Sequence, residues 1–143
     1  MNHWLVKSEP DAFSWDQQVA NGIEPWTGVR NHMARNNLKA MKKGDLAFFY
    51  HSNVGKEIVG IVRVAREAYP DPNVEPGEKG EWVCTDMQAV GPMPKPVTLA
   101  AIKAEPALAD VALVRMSRLS VMPIAPEHWK LLCKMGGWKG RGG

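Results

Sequence analysis

Residues 43–66 read KGDLAFFYHSNVGKEIVGIVRVAR, and their pattern sets the fold class. Lys43-Gly44-Asp45 has turn chemistry. Behind it Leu46, Phe48 and Tyr50 alternate with Ala47, Phe49 and His51. Both faces are largely apolar, which predicts a strand over 46–52 buried in the middle of a sheet. Asn53 to Lys56 predicts a loop and Glu57 to Arg66 a second strand, in which Gly60 marks a bulge or the close approach of another group.

Working outward, His3 to Lys7 predicts a short strand ended by Ser8-Glu9-Pro10. Asp11 to Ala20 predicts a helix capped by Ser8 or Asp11. Ile23 to Gly28 is expected to be a loop holding Trp26, and a second helix runs from Arg30 or Asn31 to Met41, with Ala34, Leu38 and Met41 as its apolar stripe. Beyond Arg66, the Pro- and Gly-bearing acidic run Tyr69 to Gly80 predicts a loop. Glu81 to Val90 predicts a strand, Gly91 to Pro96 an extended connector, and Thr98 caps a short helix to about Ala104. Arg115 to Ile124 predicts the last strand, and Pro126 opens a helix that buries Trp129, Leu132 and Cys133. Five strands among short helices predict a single α+β domain built on a small β-barrel or curled sheet. The basic, Gly-rich tail over 136–143 is expected to be flexible.

The chain has 143 residues, 45% hydrophobic and 23% charged. That suits one folded domain and excludes disordered, collagen-like and coiled-coil classes. The net charge of +3 is unevenly spread: +3 over 1–66, −5 over 67–110 and +5 over 111–143. If the two ends meet in the fold they form one basic face, the footprint of a polyanion partner, although a mixed solvated surface fits the charges equally. There is no apolar run long enough for a membrane span and no signal-like start, so a soluble, cytoplasmic protein is expected. Cys84 and Cys133 are expected to be reduced and packed. No oligomer signal is present, and a monomer is expected.

Catalytic chemistry finds little purchase. His3, His32, His51 and His128 share no metal-ligand spacing, and no phosphate-cradling glycine loop or nucleophile elbow occurs, so neither metal nor cofactor is expected. An acid/base site could be assembled from Glu9, Asp45 and His51, but Asp45 reads better as a turn residue and Glu9 as part of a helix entry. Binding has more support. Six of the eleven aromatics are Trp, and Trp26 alone lies in a loop beside Arg30, Asn31, Arg35 and Asn36. A flat ring next to cations and amides suits a stacked base with its edge and phosphate held, while plugging the end of the barrel remains the plain alternative. Trp4, Trp82 and Trp129 are assigned to the core or its edge, Trp15 to packing on the first helix and Trp138 to the tail.

The runs WLVKSEP (4–10), WTGVRNHMARNNL (26–38), GDLAFFYHSN (44–53), IVGIVRV (58–64), AYPD (68–71) and SRLSVMPI (117–124) together resemble the EVE domain, over the chain to about Met135. That family belongs to the PUA-like superfamily and is related to the YTH readers of methylated adenine. The resemblance implies a mixed β-barrel decorated by helices, with a pocket for a modified base flipped out of DNA or RNA. It implies Lys7 and Ser8 at the pocket rim, Trp26 as the stacking wall, and Gly28, Val29, Arg30 and Asn31 as the loop that closes over the base. Tyr50, His51, Ser52 and Asn53 would form another wall, with Arg118, Leu119 and Ser120 at the same end. Arg30, Arg35, Lys39 and Arg118 would hold phosphates. No complete aromatic cage is visible in the sequence. The function expected is a non-catalytic reader; the alternatives are a small enzyme acting on a nucleotide or RNA-derived substrate and a protein-interaction module. If Trp26 only stacks from a loop, Trp26→Ala would leave the fold intact.

Overall fold

A computed structural model of the chain describes residues 1–140. In chain order the elements are β1 (His3–Ser8), α1 (Trp15–Asn21), β2 (Ile23–Pro25), α2 (His32–Ala40), β3 (Leu46–His51), β4 (Glu57–Pro70), β5 (Val83–Thr98), α3 (Leu99–Ala104), a 3-10 turn (Pro106–Leu108), α4 (Ala112–Arg115), β6 (Val121–Ile124) and α5 (Pro126–Met135). The strands form one mixed sheet in the order β2-β5-β4-β3-β1-β6. Only β1 and β3 pair in parallel, and the other neighbours are antiparallel. Parallel neighbours need a crossover, and residues 9–45 supply it. That crossover carries α1, β2, α2 and the Trp26 loop, so the topology itself sets the loop over the end of β1.

The central strand is β3, buried from Leu46 to Tyr50. Its period of two sends adjacent phenylalanines into two different clusters. Phe48 stacks on Trp129 of α5 at 3.9 Å. Phe49 instead meets Trp15 at 5.3 Å and Trp26 at 5.5 Å, both edge-on. Gly60 of β4 makes room for the first of these rings: a Cβ there would lie 2.5 Å from Trp15. The β4–β5 register also shifts at Ile58/Gly60, so the glycine marks both a close approach and a bulge. Asp45, as expected of a turn residue, is buried and accepts bonds from the Trp4 Nε1–H at 3.0 Å and the Lys42 amide at 3.0 Å.

Several expectations are corrected. The sheet is open and not closed into a barrel, since its edge strands β2 and β6 do not pair with each other. Ile23–Pro25, expected as loop, is a short edge strand on Asp86–Gln88 of β5. β4 continues through Tyr69 and Pro70, paired with Cys84 and Val83. β5 runs through the prolines to Thr98, past Gln88, where its pairing with β2 stops. Pro92 to Pro96 therefore lie where a strand is paired on one side and broken by register shifts, which tolerates a missing donor. The last strand shrinks to Val121–Ile124, and Ala112–Arg115 is helical, because residues 115–118 lack an alternating apolar face. α1 begins later than expected: Ser14 and Gln17 form a reciprocal capping box, the signature Ser-x-x-Gln. Of the expected flexible tail, Gly136 lies against Met93 and Val97, and Trp138 packs on Gly91; residues 141–143 are outside the described residues.

Candidate functional site

The end of β1, the turn after it, the chain from Glu24 to Asn31 and Ser120 enclose a cavity of about 410 Å³. Trp26 is its aromatic wall, and this ring is also core, only 7% exposed. It stands edge-on to Phe49 at 5.5 Å and to Phe13 at 6.1 Å. The two readings of Trp26 are thus not exclusive: the residue packs among core aromatics and also lines the cavity. Its amide donates to the Thr85 carbonyl at 2.7 Å, which ties the loop to β5.

The rim is held by a small set of bonds. Ser8 Oγ donates to the Phe13 carbonyl at 2.6 Å, closing the turn that brings Phe13 beside Trp26. A serine hydroxyl spent as a donor still has acceptor capacity. Lys7 Nζ donates to the Ser117 carbonyl at 2.8 Å, and burial lowers its pKa from the usual lysine value. Asn31 caps α2, its Oδ1 accepting the Ala34 amide at 2.9 Å.

The loop between Trp26 and α2 is fixed from outside by Asp71. This buried carboxylate accepts the Gly28 amide at 2.9 Å, the Asn73 amide at 2.7 Å and Arg30 Nη1 at 2.9 Å. Gly28 has φ +82°, a left-handed conformation suited to glycine. Burial pushes the Asp71 carboxyl up, but the bonds from Gly28, Arg30 and Asn73 outweigh it and hold the pKa below the ordinary value. Arg30 Nε also binds Glu78 at 2.9 Å, and Nη2 the Asn73 carbonyl at 3.2 Å. On this side Trp82 carries His32 stacked at 5.1 Å, with the Arg30 and Arg35 guanidinium groups at 5.7 Å and 5.5 Å from its ring.

Of the residues expected at the pocket, Lys7, Ser8, Trp26, Gly28, Val29, Arg30, Asn31 and Ser120 border the cavity. Tyr50, His51, Ser52 and Asn53 stand behind them, on or just after β3. Tyr50 pairs in register with Lys7. His51 Nε2 accepts the Trp15 amide at 3.1 Å, and burial lowers its pKa. The Ser52 amide donates to the Ser8 carbonyl, and Asn53 Nδ2 donates to Glu9. Glu9 and His51 are therefore occupied with backbone and side-chain bonds, and Asp45 lies at the far end of β3; no acid/base group is assembled from the three. Arg118 and Leu119 border a neighbouring cavity that also contains Asn31.

The phosphate set divides as well. Arg30 is turned toward Asp71 and Glu78, which suits a clamp better than a phosphate ligand. Arg35 lies by Asn36 at 3.2 Å, Lys39 is 3.9 Å from Glu81, and Arg118 is exposed. The first and last strands pair, β1 with β6, through residues that carry no Lys or Arg. Sequence reasoning missed Ala12, Phe13, Glu24, Pro25 and Thr27 as lining residues. Phe13 reads locally as a helix residue; a turn closed by Ser8 Oγ on its carbonyl and by its own amide on the Glu9 carbonyl places it at the cavity instead. Among the described residues no His, Cys, Asp and Glu cluster could hold a metal, and no helix is long and apolar enough to cross a membrane.

The fold and site together define an α+β domain that carries one aromatic-walled cavity in its β1–β3 crossover, with polar groups and cations at the rim. The chain belongs to the EVE domain family, which it matches over residues 2–135. It is 34% identical to human thymocyte nuclear protein 1, over 94% of this chain and 73% of that protein. The NMR structure of Rpa0253 from Rhodopseudomonas palustris is similar at 59% identity and TM-score 0.89, covering 99% of this chain and 97% of that one. The crystal structure of human THYN1 in complex with 5-methylcytosine-containing DNA is similar at 34% identity and TM-score 0.88, covering 95% and 98%. The YTH domain of Zygosaccharomyces rouxii MRB1, at 12% identity and TM-score 0.59, covers 94% of this chain and 86% of that one, and shares the fold.

Proposed function

We propose that this chain is a non-catalytic reader of nucleic acid that holds one modified base, flipped out of its strand, in the cavity beside Trp26. The observation that carries the reading is the Trp26 ring bordering a cavity of about 410 Å³ together with Ser8, Asn31 and Ser120. Flipping a base costs a few kcal/mol. Stacking returns about 1–3 kcal/mol and each edge hydrogen bond about 0.5–1.5 kcal/mol, so one ring and two or three polar groups balance the account. A cavity of this size is within the range of small-ligand sites. Similarity to human THYN1, solved with 5-methylcytosine-containing DNA, supports a modified cytosine as the first ligand to try. The Phe13 ring at 6.1 Å from Trp26 supplies a second aromatic. The basic chain ends supply the phosphate attraction that any polyanion needs.

The test is a binding series with DNA and RNA oligonucleotides that carry cytosine, 5-methylcytosine, adenine or N6-methyladenine at one position, each at two salt concentrations. The expected result is a preference for one modified base that survives the change of salt, with the oligonucleotide recovered unchanged by mass spectrometry. Equal affinity for modified and unmodified partners would overturn base reading, and a converted product would point to an enzyme.

A further inference from the structure

Beside the base cavity lies a second one of about 390 Å³, bordered by Asn31, Met33 and residues 115–119. Two of its walls are exposed thioether side chains: Met33 and Met116 are 48% and 41% exposed. Around them stand Arg115 and Arg118, and none of the bordering residues is acidic. Arg115 approaches Asp110 at 3.6 Å, but both side chains are well exposed, so solvent and salt screen that pair. Arg118 has no ion pair among the described residues.

The two cavities adjoin. Asn31 borders both, and Ser120, on the rim of the first, follows directly on Leu119 in the second. The joining segment is pinned by the Lys7 Nζ bond to the Ser117 carbonyl and by the Leu119 amide bond to the Met116 carbonyl at 3.0 Å. Apolar, polarizable side chains between two cations match the make-up of a nucleotide, whose flat base meets thioethers while its phosphate meets guanidinium groups. Methionine is also among the side chains that press against base steps where a strand is distorted.

We propose that this groove receives the nucleotide next to the flipped base, with Met33 and Met116 against its base and Arg115 and Arg118 at its phosphate. The proposal rests on the base-reading function above. It makes the groove a determinant of footprint and of flanking preference on one side of the modified base only.

The test uses the full chain and fluorescent DNA 12-mers with 5-methylcytosine in the centre, at the 5′ end or at the 3′ end. Moving the modified base to one end is expected to weaken binding about fivefold to tenfold, the scale of one lost stack, while moving it to the other end does not. The double variant Met33→Ser/Met116→Ser is expected to lose the same factor on the central site. It keeps its preference for 5-methylcytosine over cytosine and its salt dependence. Arg115→Gln/Arg118→Gln is expected to flatten the dependence of log affinity on log salt by about one, the share of one phosphate. If the methionine variant, folded by circular dichroism, bound like the parent, or if both ends were equivalent, the groove would not be a nucleotide site. A parent that shows no preference for the modified base overturns the base-reading function instead, a result visible before any groove variant is made.

Discussion

The Arg30 guanidinium and the Asp71 carboxylate meet at 2.9 Å, and the Asp71 side chain is fully buried. Through this pair the acidic middle of the chain, which by charge alone could have been a free surface, holds the loop that follows Trp26. The same carboxylate takes the Gly28 amide, so removing it releases the loop from two of its ties, while Arg30 keeps Glu78 as a partner. Asp71→Ala is expected to cost about 1–3 kcal/mol of stability, read as a lower urea midpoint, and to weaken modified-base binding. The pH dependence has a definite sign. A carboxyl whose pKa is held down in the folded state contributes fully above the ordinary carboxylate range and loses that contribution as pH falls through its folded value. The stability gap between parent and Asp71→Asn is therefore expected to stay flat above about pH 5 and to narrow below about pH 4. A gap that widened on acidification would contradict the assignment.

Trp26 is expected to give two separable phenotypes. Because its ring packs on Phe49 and Phe13, Trp26→Ala opens a core cavity and costs about 3–5 kcal/mol. The loop reading, in which the fold would not notice the change, fails here. Trp26→Phe keeps a ring in contact with Phe49 but shortens the wall, so it is expected to fold with a modest loss while its preference for a modified base falls. Thermal unfolding and paired titrations with modified and unmodified oligonucleotides separate the two effects. An unchanged preference in Trp26→Phe would remove the stacking role.

What could be read from the sequence follows the range of the forces involved. β3 was legible because an unbroken apolar run from Leu46 to Tyr50 leaves no other way to bury both faces, and Gly60 because a glycine inside a strand signals a bulge or a close neighbour, and here it is both. β2 was not: three residues ending in Pro25 have no local strand signal, and pairing with Asp86–Gln88 forms it. The prolines of β5 hid a strand whose far half is paired on one side. Of the residues that border the cavity, Trp26 and Asn31 were singled out by their chemistry and Lys7 and Ser8 by the family resemblance alone. Phe13 and Asp71 were assigned no part in it, since one is placed by the turn that Ser8 helps to close and the other reaches Gly28 across the fold.

Gly60 offers a test of the core behind the site. A methyl group there would lie 2.5 Å from the Trp15 ring, which is itself held by Phe49 at 5.3 Å. Gly60→Ala is expected to cost about 1–3 kcal/mol through overpacking. In a Trp15→Leu background the same change should cost clearly less, because the clashing ring is gone. Urea unfolding of the four proteins gives the coupling directly. Strict additivity would mean that the strain comes from the backbone of β4 and not from Trp15.

Arg35 separates phosphate attraction from loop support. Arg30 is spent on Asp71 and Glu78, whereas Arg35 lies over Trp82 with only an exposed bond to Asn36. Arg35→Ala is expected to weaken modified and unmodified oligonucleotides by the same factor and to reduce the slope of log affinity against log salt by about one, with little loss of stability. Arg30→Ala should do the reverse: a lower unfolding midpoint and a reduced preference for the modified base, with the salt slope nearly unchanged. Measuring the slope and the midpoint on both variants decides between these roles. A slope that falls for Arg30→Ala and holds for Arg35→Ala would exchange them and return Arg30 to the phosphate set.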